Sequence, residues 1–204
     1  MILEIRSYTL RLGAVPKALG RFTESLPARA KVSPMAGFFQ SEVGTLNQIH
    51  MMWPYADLAE RERLRKVKVD NYPPQMSDIG VELDVRIWNA APFSPPVQPR
   101  QYGELYEIRT YTYTAGSIPK VIESWSGAIG ERQKYSPLVF AGYSEFGLQN
   151  LWIHIWAYED WNDRQRIRHE VHEKGVWPPK GGPEGGLLKQ QNIFVTPTAL
   201  SLWH

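Results

Sequence analysis

The chain has 204 residues, of which 43% are hydrophobic and 22% charged, and a net charge of +2, as is typical of a soluble globular protein with room for one large or two small domains. It contains no Cys, which excludes disulfides, cysteine nucleophiles, iron–sulfur clusters and zinc–thiolate sites. No basic face or tail and no apolar run of ~20 residues is present, so we expect neither a nucleic-acid partner nor a membrane span.

The first half of the chain predicts four strands and two helices. A strand that begins near residue 2 leaves no room for a signal or transit peptide, so a cytoplasmic location is expected. Period-two and helical patterns predict strands near 2–9, 36–43, 47–55 and 80–88, and helices near 15–31 and 57–69. The order β-α-β-β-α-β is typical of a ferredoxin-like unit.

A proline-rich segment, 90–103, separates this unit from a second one and predicts an extended, stiff linker. The second half predicts the same order, with strands at 105–113, 137–146, 150–158 and 187–195, a helix after Ser117 and a helix at 161–174. We therefore predict two ferredoxin-like domains, at 1–95 and 104–204. The Pro/Gly-rich loop at 176–186 is a candidate lid.

The two halves repeat each other without a gap. Sliding the chain along itself by 103 residues aligns identical residues, among them Glu4/Glu107, Ile5/Ile108, Arg6/Arg109, Tyr8/Tyr111, Trp53/Trp156, Tyr55/Tyr158, Asp57/Asp160 and Arg61/Arg164. A period of this length is the size of a small domain, so it indicates a tandem duplication.

A four-stranded sheet with both helices on one face leaves its other face uncovered. On the strand at 150–158, we predict that the aliphatic side chains of Leu151, Ile153 and Ile155 face the helices. The aromatic and polar residues between them then lie on the opposite face. Packing that face against its equivalent in the first half predicts an α+β fold, an intrachain α/β barrel lined by Trp, Tyr, Arg and His.

Two motifs recur in both halves. One is the strand E-I-R-[ST]-Y-T at residues 4–9 and 107–112, and the other is S-E-x-G-x-x-N…W-x-Y-x-D-x-x-x-R at 41–61 and 144–164. By these motifs each half resembles a NIPSNAP domain. The resemblance implies a dimeric α/β-barrel fold, whose relatives include antibiotic-biosynthesis monooxygenases, EthD-like proteins and chlorite-dismutase-like haem proteins. It implies no defined reaction, and similarity of fold alone is a weak argument for function.

The candidate catalytic residues are His154, Arg109 and Tyr111. His154 is predicted to face the barrel between two Trp residues, and its first-half counterpart is Met51. It could act as a general base or an axial haem ligand, or be a core histidine with a structural partner. Arg109 could bind an anionic ligand or form an internal ion pair. The candidate ligand-binding residues are Glu107, Trp152, Trp156, Tyr143, Arg6 and Tyr8.

Other polar residues favour structural roles. His169 and His172, spaced i, i+3 on a helix, lack a visible third metal ligand, so a solvated helix face is predicted and no metal is expected. Glu42 and Glu145 are interpreted as hairpin-stabilising residues, with an acid/base pair as the alternative.

The sequence supports two functions of different classes. In the first, the barrel binds a small aromatic or apolar molecule, and an enzymatic version also transforms it. No metal or other cofactor is expected, and haem is the alternative. In the second, the barrel interior is filled and the protein is a non-catalytic interaction or structural module. Homo-oligomerisation is compatible with both. A void lined by His154 and Arg109 favours the first function, and a packed interior favours the second.

Overall fold

The computed structural model describes all 204 residues. The first half contains β1 (Ile2–Leu10), α1 (Val15–Ala30), β2 (Gly37–Val43), β3 (Gln48–Tyr55), α2 (Leu58–Lys66) and β4 (Gly80–Ala90). The second half contains β5 (Leu105–Tyr113), α3 (Ile118–Arg132), β6 (Leu138–Ser144), β7 (Leu151–Tyr158), α4 (Trp161–Glu173) and β8 (Leu187–Pro197). None of the helices has the length and apolar character needed to cross a membrane.

Equivalent local signals set the element boundaries in both halves. Asp57 and Asp160 cap α2 and α4, because each carboxylate accepts a hydrogen bond of 2.8 Å from the backbone N–H three residues later. Asn47 and Asn150, at the starts of β3 and β7, adopt left-handed backbone angles with φ of 54° and 58°. Asn tolerates this region better than most residues do. The duplicated sequence therefore folds twice through the same turns.

The eight strands form one closed antiparallel barrel in the order β1-β3-β2-β8-β5-β7-β6-β4. Two seams, β2–β8 and β4–β6, join the halves. At these seams Glu42 accepts a hydrogen bond from Thr196 (3.1 Å), and Glu145 accepts one from Asn89. The two carboxylates therefore lie at opposite seams, where they link the halves rather than form an acid/base pair. The predicted α+β, intrachain dimeric α/β-barrel fold is confirmed.

The predicted orientation of the strand faces is wrong. Leu151, Ile153 and Ile155 belong to the core cluster that contains residues of both halves and fills the barrel interior. Trp152 and Trp156 instead pack on the outer face, in the cluster that includes the residues of α3 and α4. An eight-stranded barrel is just wide enough for compact side chains. On β7 the aliphatic side chains therefore fill the space beside Trp88 and Trp203, which already occupy the interior, and the indoles of Trp152 and Trp156 pack in the layer between sheet and helices.

Candidate functional site

The second half has a cavity of about 510 Å³ between the outer face of the sheet, α4 and the segment that follows α4. Four of its lining residues are arginines. The others are mostly aromatic or neutral polar, and the full set is Arg109, Tyr111, Arg132, His154, Trp156, Arg164, Gln165, Arg168, His169, Val171, His172, Trp177, Pro178 and Gln190.

An ion-pair network forms the base of this cavity. Period-two geometry places Glu107, Arg109 and Tyr111 on one face of β5. The fully buried Glu107 carboxylate accepts hydrogen bonds of 2.8 Å from both Arg109 and Arg164, and one of 3.0 Å from Asn192. Burial acts to raise the pKa of Glu107, but the Arg164 hydrogen bond and the Arg109 charge hold that pKa below its ordinary value. Glu107 is therefore an anion at neutral pH.

The remaining cationic groups have no carboxylate partner. Arg132 donates to the Ser136 hydroxyl (2.9 Å), and its guanidinium lies 4.1 Å from the centroid of the Trp156 ring. The half-buried Arg168 guanidinium makes no hydrogen bond or ion pair. Four guanidinium groups with one carboxylate leave an excess of three positive charges around the cavity. Such an excess favours an anionic ligand.

His154 is buried and neutral. Its Nδ1 accepts a hydrogen bond of 2.7 Å from the Trp156 indole N–H, which can only donate, so the imidazole proton lies on Nε2. Burial lowers the pKa of His154 well below its ordinary value, and the charges of Arg109, Arg168 and Arg132 lower it further. The buried Nε2–H has no hydrogen-bond partner. A buried donor without a partner is costly, and a ligand oxygen would satisfy it.

Aromatic rings surround His154. Its ring centroid lies 4.9 Å from that of Tyr111 and 4.7 Å from that of Trp125. Trp177 packs edge-on against Trp125 at 4.6 Å. The Tyr111 oxygen accepts a hydrogen bond of 2.8 Å from Arg109 Nε, and burial raises the pKa of Tyr111, so the phenol keeps its proton and can donate it. The site thus combines flat apolar walls with several donors.

Only some of the predicted site residues meet here. Arg109, Tyr111, His154 and Trp156 line the cavity, above Glu107. They lie outside the barrel, however, so the predicted barrel-facing site is wrong in its location. The loop predicted as a lid at the barrel mouth instead places Trp177 and Pro178 against this outer cavity.

The other predicted ligand-binding residues lie elsewhere. Trp152 is fully buried against Trp125 (5.2 Å between ring centroids) and does not reach the cavity. Tyr143 packs at the edge of the same core cluster. Arg6 lines a separate first-half cavity, and Tyr8 lies in the first-half core.

Sequence reasoning missed Arg132, Arg164 and Arg168. Arg164 stands out in the sequence only as a repeated residue, although it reaches the buried Glu107. The repeat carried a signal for all three, because the offset of 103 places Arg29, Arg61 and Arg65 at the equivalent first-half positions. Both halves keep arginines at the same positions and a buried Glu at another, and this pattern indicates an ion-pair network.

The geometry of the histidines favours neither a metal site nor haem ligation. His169 lies 3.2 Å from Glu173 on the exposed side of α4, and no cluster of three or more His, Asp or Glu side chains suited to a metal forms in the structure. An axial haem ligand needs a free nitrogen lone pair. His154 has none to offer, because Nδ1 is occupied by Trp156 and Nε2 carries the proton. The residues present therefore do not fit haem at this position.

Comparisons with known proteins give consistent results. The NIPSNAP family model matches residues 3–95 and again residues 106–202. The NipSnap homolog of Dictyostelium discoideum is 25% identical over 86% of this chain and 78% of its own length. Mouse NipSnap homolog 3B is 26% identical over 97% and 84%. A crystal structure of a candidate monooxygenase from Lactobacillus acidophilus superposes with a TM-score of 0.66 over 96% of this chain and 93% of that one. At 9% identity it is evidence for the fold alone.

Proposed function

The chain belongs to the NIPSNAP family, and from the geometry of its second-half cavity we propose that it binds a small, flat organic anion, such as an aromatic carboxylate. One observation carries this proposal. The His154 Nε2–H is buried without a partner, and His154 belongs to the lining of a cavity that four arginines also line. A carboxylate oxygen supplies the missing acceptor and offsets the excess positive charge.

The aromatic part of such a ligand is recognised by the cavity walls. Trp177, which is only partly buried and packs edge-on against the buried Trp156 ring (5.9 Å between ring centroids), offers apolar surface against which a flat ligand ring can pack. The Arg168 guanidinium, which lacks a partner, is free to pair with the carboxylate. The cavity volume of about 510 Å³ lies within the range of ~300–1,000 Å³ that ligand pockets occupy.

The donors also bear on what this cavity can do with its ligand. N–H and O–H groups fixed in a water-poor site stabilise an oxygen that gains negative charge, such as an enolate oxygen. No carboxylate belongs to the cavity lining, so it offers no carboxylate base for proton abstraction. We therefore propose binding, without metal or haem, as the activity of this cavity, in which the donors hold a ligand oxygen that already carries negative charge.

A non-catalytic interaction or structural module is the second candidate. The observation in its favour is the barrel interior, which is filled over much of its length by a cluster of 17 buried residues from both halves. This candidate assigns no role to the outer cavity, so it predicts that small anions do not bind there.

Isothermal titration calorimetry at low ionic strength separates these candidates. Benzoate is expected to bind one site per chain, and the isosteric but neutral benzamide at least about tenfold more weakly, because hydrogen bonds to charged groups contribute ~1.5–3 kcal/mol. Arg168→Gln should weaken benzoate binding by a similar factor. Arg65→Gln, the equivalent first-half change, alters the net charge equally and should leave binding unchanged.

Two results would count against the proposal. Equal losses in Arg168→Gln and Arg65→Gln would indicate attraction to net charge rather than a site. No binding of benzoate, together with native mass spectra of freshly purified protein that show no bound small molecule, would favour the interaction module.

A further inference from the structure

The barrel interior contains a second, separate cavity. Along β1 the inward-facing side chains change from the buried Leu3 and Ile5 to Ser7 and Thr9, which line a cavity of about 290 Å³. Glu82 and Arg86 are exposed at its edge. The cavity therefore opens to solvent at one end of the barrel.

The two halves contribute opposite chemistry to this cavity. Its first-half wall is polar, and its second-half wall is largely aliphatic. Strand register gives the equivalent pairs, which are Ser7 and Thr110, His50 and Ile153, Asp84 and Gln191, and Arg86 and Ile193. A cavity with one polar and one apolar wall fits an amphipathic ligand.

His50 is a rigid, uncharged part of the polar wall. Its ring nitrogens are bonded to the Ser7 hydroxyl at 2.8 Å and the Ser41 hydroxyl at 2.9 Å. The imidazole is 2% exposed and makes no contact with a carboxylate. With both nitrogens occupied, His50 fixes the Ser7 oxygen, which keeps a lone pair free to accept a further hydrogen bond.

The charges on the polar wall favour a cation. Asp84 pairs with Arg86 at 2.7 Å, and Glu82 has no hydrogen-bond or ion-pair partner. The wall therefore carries one net negative charge. Lys189, which occupies the position equivalent to Glu82 on β8, lies outside the cavity lining.

We propose that the open end of the barrel is a second binding site, for a small amphipathic amine. The ammonium group pairs with Glu82 and Asp84 and donates to the Ser7 oxygen. The alkyl chain packs on Ile108, Ile153 and Ile193. This site is independent of the anion cavity outside the barrel.

The test uses n-hexylammonium, with hexan-1-ol and hexanoate as neutral and anionic controls of equal length. Ligand contact is followed through the ring ¹⁵N resonances of His50 in the full chain, and those of His154 report on the other cavity. Hexylammonium should perturb His50 but not His154, and should bind about fivefold or more tightly than hexanol. Half-exposed ion pairs contribute only modestly, so a larger ratio is not required.

Two variants make the test decisive. The double variant Glu82→Gln/Asp84→Asn leaves Arg86 as the only charge on the wall, so the preference should change from hexylammonium to hexanoate. Ile193→Arg places the first-half residue in the aliphatic wall and should weaken hexylammonium binding about tenfold or more. Unchanged His154 resonances establish that each variant is folded.

Three outcomes overturn the proposal. These are no His50 perturbation by hexylammonium, equal binding of hexanol and hexylammonium, and an unchanged preference for the amine in the double variant.

Discussion

In the first half, Glu4 accepts hydrogen bonds from Arg6 (2.5 Å) and Arg61, and Arg65 lies 3.6 Å away. In the second half, Glu107 binds the two equivalent arginines, but Arg168, the counterpart of Arg65, has no partner. Both halves thus place four arginines around one buried carboxylate, but Arg65 lies within ion-pair distance of that carboxylate and Arg168 does not.

The surroundings of the two frameworks differ in size and polarity. Helix α2 has 9 residues and α4 has 13, and the first-half cavity measures about 240 Å³ against about 510 Å³. Met51, which cannot donate a hydrogen bond, stands in place of His154. The shared residues therefore hold sheet and helix together, and the features that differ distinguish the proposed anion cavity from its smaller first-half counterpart.

The largest expected loss of stability concerns the core tryptophans that both halves share. Trp53 and Trp156 are each 2% exposed, so Trp→Ala at either position should cost ~3–5 kcal/mol of unfolding free energy. Trp156→Ala should cost more, because its indole donates to His154 and Arg132 stacks on it at 4.1 Å, against 5.5 Å for Arg29 and Trp53. Urea denaturation measures both. A loss below about 1 kcal/mol in either variant would contradict the common core role.

A second prediction concerns pH and the difference between His50 and its counterpart, Ile153. Burial lowers the pKa of His50 from 6.5 to about 4. Because the folded-state pKa is depressed, the contribution of His50 to stability is fully present above pH 6.5 and is lost as the pH falls toward 4. The loss should be about 3 kcal/mol at pH 4, since each pKa unit corresponds to ~1.4 kcal/mol.

Urea denaturation at a series of pH values checks this prediction. His50→Ile, which places the second-half residue in the first half, should flatten the profile between pH 6.5 and 4. The loss that remains should come from His154, whose pKa is also lowered by burial, and near pH 4 from Glu107, whose pKa is held below its ordinary value. An identical profile in wild type and His50→Ile would show that His50 titrates normally in the folded protein.

The fold could be predicted because its signals are local and occur twice. Alternation assigned Trp152 and His154 correctly to one strand face and Leu151 and Ile153 to the other. It could not tell which face meets the helices, because every residue of β7 is buried. Period two reports which side chains share a face, while the layer that covers each face depends on how well side-chain volumes fit the barrel and the helix layer.

The candidate site could be predicted only in part for a related reason. Glu107, Arg109 and Tyr111 are neighbours on one strand, so spacing alone brings them together. Arg164 reaches Glu107 across 57 positions of sequence, and the register of a helix on a sheet cannot be obtained from helical periodicity.

The smallest expected change in stability comes from exchanging the residues that distinguish the two cavities. His154→Met keeps most of the side-chain volume, so it should change the unfolding free energy by less than ~1.5 kcal/mol. It should nevertheless weaken benzoate binding about tenfold, because the carboxylate loses one buried N–H donor.

Met51→His should also be tolerated, because the Trp53 indole N–H, which has no partner, gains an acceptor. It should not create a second benzoate site, since the shorter α2 leaves a smaller cavity in which Arg65 is already engaged. Calorimetric stoichiometry and urea denaturation of both variants measure these effects. A stoichiometry of two in Met51→His would show that the histidine, and not the length of the helix, determines which half binds. If benzoate binding survives His154→Met but is abolished by Met51→Ala, the anion site lies in the first half.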